Sequence, residues 1–348
     1  MKSRKMSLSQ MLLSPYYLLS LASGAKSFRD NPFIGSYKLN SLGLHVSRVS
    51  IAEKLARYKR KQLSSQLEAK HLREFERNGF VVIQNALPKS DFTNMVQQLE
   101  QTSFEAHEMK QGGTVTRFIS LTPSHFKQHP HLASLVNSNL FRGLFHYGAC
   151  SNGDPYVALH TVFSPGPESG DPQTVLHTDT FHATAKGWFF LKDVELDDGP
   201  FSYVPGSHYA TPGRLEWEQN QSLSAFSSDN PYHARGSFRA TPDEIHAMGY
   251  DDAVPLAVPA NTLVIADTHG FHARMPSKRP AVRFGVYGSL RRNPYLPWTG
   301  GDVMSLPGLR GRRAQIQDIL RDTQSWLTGK PDGQPSVGFV RPTEAARR

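Results

Sequence analysis

VLHTDTFH, at residues 175–182, sets His177 and Asp179 two positions apart. In an extended strand the side chains of residues i and i+2 lie on the same face, so this imidazole and this carboxylate can reach one metal ion. His272, far downstream, can complete a set of two histidines and one carboxylate. Such a facial set leaves open coordination positions and is diagnostic of non-heme Fe(II) oxygenases.

Arg283 follows His272 by eleven residues. A strand turn or hairpin between them can return the guanidinium to the same pocket, where its fork matches a carboxylate in two-point contact. Fe(II), three ligands and a clamp for a carboxylate together indicate oxygen chemistry driven by a 2-oxo acid.

The sequence around these residues predicts many short strands. A histidine and an aspartate at this spacing would occur by chance in a chain with 15 histidines, so the surrounding pattern matters. Apolar or alternating segments lie at 187–191, 201–208, 261–267 and 282–290, and DDGP at 197–200 is a strong turn signal. The motif therefore sits in a β-rich segment.

At these positions the chain resembles the phytanoyl-CoA dioxygenase family of Fe(II)/2-oxoglutarate oxygenases. The similar stretches are VLHTDTFH at 175–182, Trp188, DDGPFSYVPGSH at 197–208, ADTHGFHARMPSKRPAVR at 266–283, and an entry segment, REFERNGFVVIQNALPKSDF, at 73–92. The resemblance covers roughly residues 70–295. It implies a mainly β fold, with a double-stranded β-helix (jelly roll or cupin) core, flanking α-helices and the metal at one mouth.

The resemblance implies three iron ligands, His177, Asp179 and His272. It also implies that Arg283 holds the distal carboxylate of 2-oxoglutarate, that Trp188 lines the co-substrate pocket, and that Arg117 is a further pocket residue. Arg274 departs from the family pattern, because a serine often stands two residues after the last histidine ligand. That departure affects how 2-oxoglutarate is bound.

His269 competes with His272 for the third ligand position. His272 is preferred because its spacing to Arg283 fits the family and because it follows Gly270, whose backbone freedom can re-aim the next side chain. We expect His269 to pack near the site. The carboxylate of Asp179 stands where related halogenases have a small apolar residue, so hydroxylation is expected, with Fe(II) as cofactor and 2-oxoglutarate and O2 as co-substrates.

Length and composition predict the domain organisation. A chain of 348 residues fits one jelly-roll domain with helical additions. We expect an N-terminal extension at 1–65, an oxygenase domain at 66–300 with a lid insertion at 209–256, and a C-terminal helix and tail at 301–348, of which 329–348 has little reason to fold. The single Cys150 excludes an internal disulfide and fits a reducing cytosol.

The extension is basic and partly amphipathic. An apolar run at 11–22, after Lys2, Arg4 and Lys5, is too short to span a membrane and too polar for a typical signal peptide. The alternation of apolar and basic residues at 42–61 predicts an amphipathic helix with a basic side. Such segments can dock on an anionic membrane or, for 42–61, pack on the barrel. We expect a cytoplasmic protein, with a peripheral position at the inner face of the membrane as an open alternative.

A net charge of +9 favours an anionic partner. No stripe of basic and aromatic residues typical of nucleic-acid binding is evident, so we expect an anionic or lipid-linked small-molecule substrate and no nucleic acid. Basic residues around the last ligand can meet such a substrate or lie in solvent: Arg274, Lys278, Arg279, Arg291 and Arg292. The pattern gives no oligomeric state.

Several substrates and one other class of protein stay open. The layout is similar to that of Kdo 3-hydroxylases, which oxidise an acidic sugar of lipopolysaccharide at the inner membrane. An acyl-CoA and a small soluble metabolite are alternative substrates. A non-catalytic jelly-roll binding protein is an alternative of another class, and a cupin that uses its metal without 2-oxoglutarate is a further one.

Overall fold

The computed structural model describes residues 13–167, 170–329 and 332–348. The strands of these residues, in chain order, are β1 Phe80–Ile83, β2 Phe104–Gln111, β3 Thr114–Ser120, β4 Tyr156–Ser164, β5 Ala185–Phe190, β6 Phe201–Tyr203, β7 Val254–Pro255, β8 Thr262–Asp267, β9 His272–Arg274, β10 Ala281–Leu290 and β11 Ser336–Val340. Lys2, Arg4, Lys5 and the start of the apolar run at 11–22 lie outside the described residues.

The helices surround these strands. In chain order they are α1 Ser14–Leu21, α2 Tyr37–Ser41, α3 Leu44–Leu63, α4 Ala69–Asn78, α5 Lys89–Gln101, α6 Pro123–Gln128, α7 Pro130–Asn137, α8 Asn139–Ala149, α9 Pro212–Ser224, α10 Pro231–Ala234, α11 Pro242–Ala247 and α12 Arg313–Thr328. Among the described residues, none of them combines the length and apolar character needed to cross a membrane.

Two antiparallel sheets form the centre of the fold. The larger has the order β1-β8-β5-β10-β4-β3-β2-β11, and the smaller has the order β7-β6-β9. Residues of both sheets line a common cavity, including Trp188 of β5 and His272 of β9. This confirms the predicted double-stranded β-helix with flanking helices. "Mainly β" is a loose description, because helices contain more of the described residues than strands do.

Strand alternation divides the larger sheet into two faces. Along β5, Lys186, Trp188 and Phe190 line the cavity. Ala185 and Phe189, at the alternate positions, are fully buried in the core between this sheet and the helices. Because side chains alternate along a strand, one short segment contributes both to the site and to the core that supports it.

Phe145 of α8 packs closely on the larger sheet at two glycines. Gly187 of β5 and Gly288 of β10 are paired across neighbouring strands. A Cβ at Gly187 would lie 2.8 Å from the Phe145 ring, and one at Gly288 would lie closer still. These glycines are therefore required for the close approach of α8 to the sheet.

The N-terminal extension packs on the insertion at 209–256. Phe28 and Ile34 of the extension are buried in one cluster with Trp217, Phe238 and Ile245 of the insertion. The insertion itself contains α9, α10 and α11. Its function as a lid stays a prediction. Both segments reach the potential metal ligands, because Lys26 of the extension contacts Asp179 and Arg239 of the insertion bridges His177.

The helix expected at 42–61 is α3, and part of its basic side points inward. Arg48, Lys59 and Arg60 are buried. Arg48 donates hydrogen bonds to the carbonyl oxygens of Leu21, Ser23 and Ala25. For α3 the structure therefore supports packing on the barrel, because a membrane-docking helix would keep these cations at its surface.

Residues 336–340 form strand β11, which corrects the expectation that the segment 329–348 has little reason to fold. Strand β11 pairs with β2 at the edge of the larger sheet. The guanidinium of Arg117 donates hydrogen bonds to the carbonyl oxygens of the chain that follows, at Arg341, Pro342, Glu344 and Ala345. Composition did not predict this strand, because its order depends on a distant edge and a distant cation.

Arg117 does not line the cavity, which corrects the expectation that it is a pocket residue. It is fully buried and forms an ion pair with Glu108, with 2.6 Å between Nη2 and Oε1. Its neighbours Thr116 and Phe118 line the cavity, so Arg117 itself points to the opposite face of β3. The side chain holds the C-terminal segment instead.

We expect Arg117→Met to lower the free energy of unfolding by about 3–5 kcal/mol, because it leaves the buried Glu108 without its partner. Urea unfolding followed by circular dichroism measures the change. The control is Arg235→Met, since Arg235 is largely exposed in its contact with Asp30. That change should cost less than about 1 kcal/mol. Equal losses in the two variants would contradict the assigned function of Arg117.

Candidate metal centre

Backbone pairing brings two distant histidines together. The amide of His177 donates to the carbonyl oxygen of His272 at 2.9 Å, and the reverse hydrogen bond is 3.0 Å long. The two residues thus form an isolated antiparallel bridge, and their ring centroids are 4.5 Å apart. The main chain therefore fixes the distance between the rings before any ligand binds.

A local hydrogen bond orients each of the two rings. Nδ1 of His177 lies 2.7 Å from the carbonyl oxygen of Val175, and Nδ1 of His272 lies 2.9 Å from that of Gly270. When Nδ1 donates its proton to the backbone, Nε2 keeps a free lone pair, as in metal-ligating histidines generally. Burial lowers the pKa of both imidazoles, which favours the neutral form that binds metal.

Asp179 is placed beside these rings by its main chain. Its amide donates to the carbonyl oxygen of Thr268 at 3.0 Å, and its Oδ2 lies 3.7 Å from Nε2 of His272. Burial alone would raise the pKa of the carboxyl group. The Lys186 ammonium, with Nζ 2.7 Å from Oδ2, and the two imidazoles outweigh that effect and hold the pKa well below its ordinary value.

The three side chains fit a divalent iron. The potential ligand atoms of His177, Asp179 and His272 all lie within 4.8 Å of one another. Two imidazole nitrogens and one ionised carboxylate oxygen match the donor set of the facial triad, which leaves other coordination positions open.

The turn before His272 is fixed by a buried carboxylate. Asp267 ends β8, and its Oδ2 accepts a hydrogen bond from Arg60 of α3 at 2.6 Å. Its Oδ1 accepts from the amides of Thr184 and His269 at 2.9 and 3.0 Å. Its main-chain carbonyl accepts a hydrogen bond from the hydroxyl of Tyr203. Asp267 thus joins the extension, both sheets and the ligand-bearing turn.

The cavity of about 210 Å³ between the sheets extends from the two histidines to Arg283. Trp188 and Tyr287 lie on its wall. The Nε of Arg283 is buried without a hydrogen-bond partner among the described residues, while Nη1 donates to the carbonyl oxygen of Gly199. Burial, with a contribution from nearby Arg274, lowers the pKa of Arg283 to about 9. A carboxylate in the cavity would satisfy this guanidinium, which is still charged at pH 7.

Arg274 lines the same cavity but already has an acidic partner. Its Nη1 lies 2.5 Å from Oδ2 of the buried Asp171. The departure from the family serine therefore adds an internal ion pair to the cavity wall. Arg283 remains the guanidinium with an unsatisfied donor at this end of the cavity.

His269 lies away from the three potential ligands. Its Nδ1 contacts the carbonyl oxygen of Thr180 at 3.0 Å, and its own carbonyl accepts a hydrogen bond from Arg214 at 2.9 Å. The structure thus brings His272, and not His269, to His177 and Asp179.

Lys186 is a site residue that the sequence analysis missed. The resemblance implies that Trp188 lines the cavity, and Lys186 lies two positions before it on the same strand, β5. Because residues i and i+2 share a face, this spacing was an available signal. His160 also lines the cavity, as does Tyr287.

The basic residues around the last ligand occupy different surroundings. Lys278 and Arg279 pair with acidic side chains at the surface, Asp197 for the lysine and Glu195 and Asp198 for the arginine. Arg292 donates to the carbonyl oxygen of Thr299. These three therefore lie outside the cavity, and the structure does not bring the predicted basic group together.

We expect His272→Asn to weaken Fe(II) or Co(II) binding by more than about a hundredfold, because asparagine can replace the Nδ1 hydrogen bond but not the Nε2 ligand. His269→Asn, which preserves the hydrogen bond to Thr180, should bind metal as the unaltered protein does. Anaerobic titration calorimetry measures both affinities. Loss of binding in the His269 variant alone would reverse the assignment.

Some solved structures are similar to this chain at low identity. HygX from Streptomyces hygroscopicus, with nickel and 2-oxoglutarate bound, is 15% identical, with 70% of this chain and 94% of that chain covered and a TM-score of 0.41. EctD from S. alaskensis, with bound Fe, is 13% identical, with 64% and 76% covered and a TM-score of 0.40. The non-heme alpha ketoglutarate dependent carbocyclase SnoK from nogalamycin biosynthesis is 21% identical, with 65% and 84% covered and a TM-score of 0.37. No curated protein sequence matches the chain.

The sequence profile of the phytanoyl-CoA dioxygenase family matches residues 75–272. This span is more than half of the 348 residues, and it includes the motif at 175–182 and ends at His272. The chain belongs to the phytanoyl-CoA dioxygenase family and is a dioxygenase dependent on Fe(II) and 2-oxoglutarate.

Proposed function

We propose that this chain is a hydroxylase that oxidises an unactivated C–H bond of an anionic substrate. In this proposal His177, Asp179 and His272 hold the iron, and Arg283 binds the distal carboxylate of 2-oxoglutarate. The supporting observation is that three potential ligand atoms lie within 4.8 Å of one another, and that two of these residues, His177 and His272, line a cavity with Arg283, whose guanidinium has a buried nitrogen without a partner among the described residues.

When bound, Fe(II) and 2-oxoglutarate supply the oxidation: C–H, O2 and 2-oxoglutarate are converted to C–OH, succinate and CO2. The protein positions the reactants and excludes water. Backbone carbonyls hold the two imidazoles in one tautomer, and the Lys186 ammonium keeps Asp179 ionised. Trp188 and Phe201, whose ring centroids are 4.7 Å apart, cover one wall of the cavity with apolar surface.

The finer substrate proposal is an acidic or lipid-linked molecule such as the Kdo sugar of lipopolysaccharide. Its support is the net charge of +9 and the position of the exposed helix α1 shortly before Lys26, which contacts Asp179. The alternatives are an acyl-CoA and a small soluble metabolite, which share the requirement for a reactive C–H beside the metal.

A peripheral contact with an anionic membrane is supported by α1. No residue of this helix is buried, and Tyr16, Leu18 and Leu19 are exposed. An apolar face of this kind can enter the headgroup region of a bilayer. Because α1 leads into Lys26, which contacts Asp179, such docking would bring the site close to a lipid-linked substrate.

A non-catalytic jelly-roll binding protein is the alternative from another class. Such a protein has no physical need to bring neutral imidazoles, an ionised carboxylate and an unsatisfied guanidinium close together. A cupin that uses its metal without 2-oxoglutarate would need the three ligands but not Arg283. Substitution of Arg283 therefore separates these alternatives.

We expect Arg283→Gln to raise the 2-oxoglutarate concentration needed for half-saturation by at least about thirtyfold, because a buried charged partner of the carboxylate is lost. The measurement is an anaerobic titration of the Fe(II)-loaded protein, followed through the metal-to-ligand charge-transfer band in visible light. Arg279→Gln is the control, since Arg279 pairs with acidic residues at the surface and should leave the midpoint unchanged.

Two results of this titration would contradict the proposal. If iron binds but no band develops, Arg283 has another function and the cupin alternative is favoured. If iron does not bind, the assignment of the three ligands fails and the binding-protein alternative is favoured.

We expect Leu18→Ser combined with Leu19→Ser to reduce sedimentation with vesicles of anionic phospholipid by at least about tenfold, because two exposed leucines no longer enter the bilayer. The control combines Leu320→Ser with Leu327→Ser, which removes two exposed leucines from α12. Equal binding by both double variants and the unaltered protein would exclude membrane contact through α1.

A further inference from the structure

Three cations from distant parts of the chain meet beside the metal ligand Asp179. Lys26 belongs to the extension, and its Nζ donates to the main-chain carbonyl of Asp179 at 2.5 Å. Arg239 belongs to the insertion, and its backbone forms a bridge with His177. Arg291 follows β10, and its Nη2 donates to the carbonyl oxygen of Gly24 at 2.6 Å. Lys26, Arg239 and Arg291 are called the mouth cluster below.

The hydrogen bonds of the mouth cluster within the described residues go to neutral oxygens. Arg239 uses Nη1 for the carbonyl and hydroxyl of Ser237, at 2.5 and 2.7 Å. Arg291 also approaches the hydroxyl of Thr180 at 3.4 Å. None of the three has a carboxylate side chain within 4 Å among the described residues. Each therefore has donors available for an anion.

The charge of the mouth cluster is not balanced locally. Asp179 is the acidic side chain whose field acts on all three cations. If Asp179 holds iron, its charge is already offset by the metal. Lys26 and Arg239 are half-buried, and partly desolvated positive charge is unfavourable unless an anion accompanies it.

The mouth cluster is separate from the co-substrate end of the cavity. Arg283 and Trp188 line the cavity, whereas Lys26, Arg239 and Arg291 do not. The site thus has two cationic regions, Arg283 within the cavity and the mouth cluster outside its lining. Arg283 can satisfy the carboxylate of 2-oxoglutarate, which leaves the mouth cluster for a different anion.

The mouth cluster is held in place without its ligand. Buried Arg48 binds three carbonyl oxygens at 21–25 and lies 4.2 Å from the ring centroid of Phe181, so the chain leading to Lys26 is anchored. Gly236 has a φ of +76°, and a Cβ there would clash with the carbonyl oxygen of Lys26. This glycine allows the insertion and the extension to approach closely, which preorganises the cations.

We propose that Lys26, Arg239 and Arg291 bind an oxyanion of the substrate, a carboxylate or a phosphate group, and thereby hold a neighbouring C–H bond at the iron. This inference rests on the proposed hydroxylase function and specifies how its substrate is recognised. Two guanidinium groups and one ammonium group form strong charge-assisted hydrogen bonds with such an oxyanion. Recognition then depends on segments outside the barrel, from the extension and the insertion.

The test is calorimetric titration of the anaerobic protein, loaded with Fe(II) and 2-oxoglutarate, with inorganic phosphate and separately with glucuronate. We expect saturable binding of one of them, which tells a phosphate from a carboxylate site. Arg239→Gln combined with Arg291→Gln should weaken it at least about tenfold, because charge-assisted hydrogen bonds are lost. Arg292→Gln is the matched control, since Arg292 neighbours Arg291 but binds Thr299.

The outcomes separate this inference from the proposed function. Absence of saturable binding of both anions, or equal binding by the double variant and the unaltered protein, would overturn the oxyanion site. An equal loss in Arg292→Gln would also overturn it, because the effect would then be one of overall charge. The charge-transfer band of bound 2-oxoglutarate reports separately on the hydroxylase function. A normal band without anion binding leaves that function intact, while anion binding without the band contradicts the function and not the site.

Discussion

The buried carboxylate of Asp267 is the constraint on which the arrangement of the site depends. It pairs with Arg60 of the extension and accepts hydrogen bonds from the amides of Thr184, which follows the 177–179 motif, and His269, which precedes His272. Loss of one of these partners would leave a buried charge uncompensated and strongly lower the stability of the fold. Asp267 and its partners are therefore held together as a unit. The Arg60 contact joins helix α3 of the extension to the strands, which agrees with the alternative from the sequence that residues 42–61 pack on the barrel.

The meeting of His177, Asp179 and His272 was predictable, because metal-binding donor sets consist of few residue types and two of these residues are two positions apart. The predicted strand at these residues is absent: His177 forms only an isolated bridge and Asp179 lies in a bend, so backbone hydrogen bonds to His272 and Thr268 bring the two groups together instead. Arg283 reaches the cavity because it lies on β10, the strand that follows β9 and His272. The position of Arg117 could not be predicted in the same way. Strand alternation indicates that Arg117 differs in face from its neighbours, but not which face meets the cavity. That choice depends on the packing of the whole sheet.

The mouth cluster was not predictable for a different reason. Lys26, Arg239 and Arg291 belong to segments with no common pattern, and their meeting depends on how the extension and the insertion cross the barrel. Of these three residues, only Arg291 belongs to the basic group that the sequence shows around the last ligand. Because Arg283 lines the cavity and the mouth cluster does not, the proposed co-substrate and substrate anions have separate cationic partners. Oriented binding of two anions beside one metal follows from that separation.

Strand β11 covers the edge of the larger sheet that β2 would otherwise leave open. An uncovered edge presents unpaired amides and carbonyls to any other extended chain, and proteins usually protect such edges. Here the protecting strand is short, contains Gly338 at a register shift, and is followed by the segment that Arg117 holds. Loss of the last residues would therefore endanger solubility before it affected catalysis, since exposed β2 edges of two molecules can pair and begin aggregation.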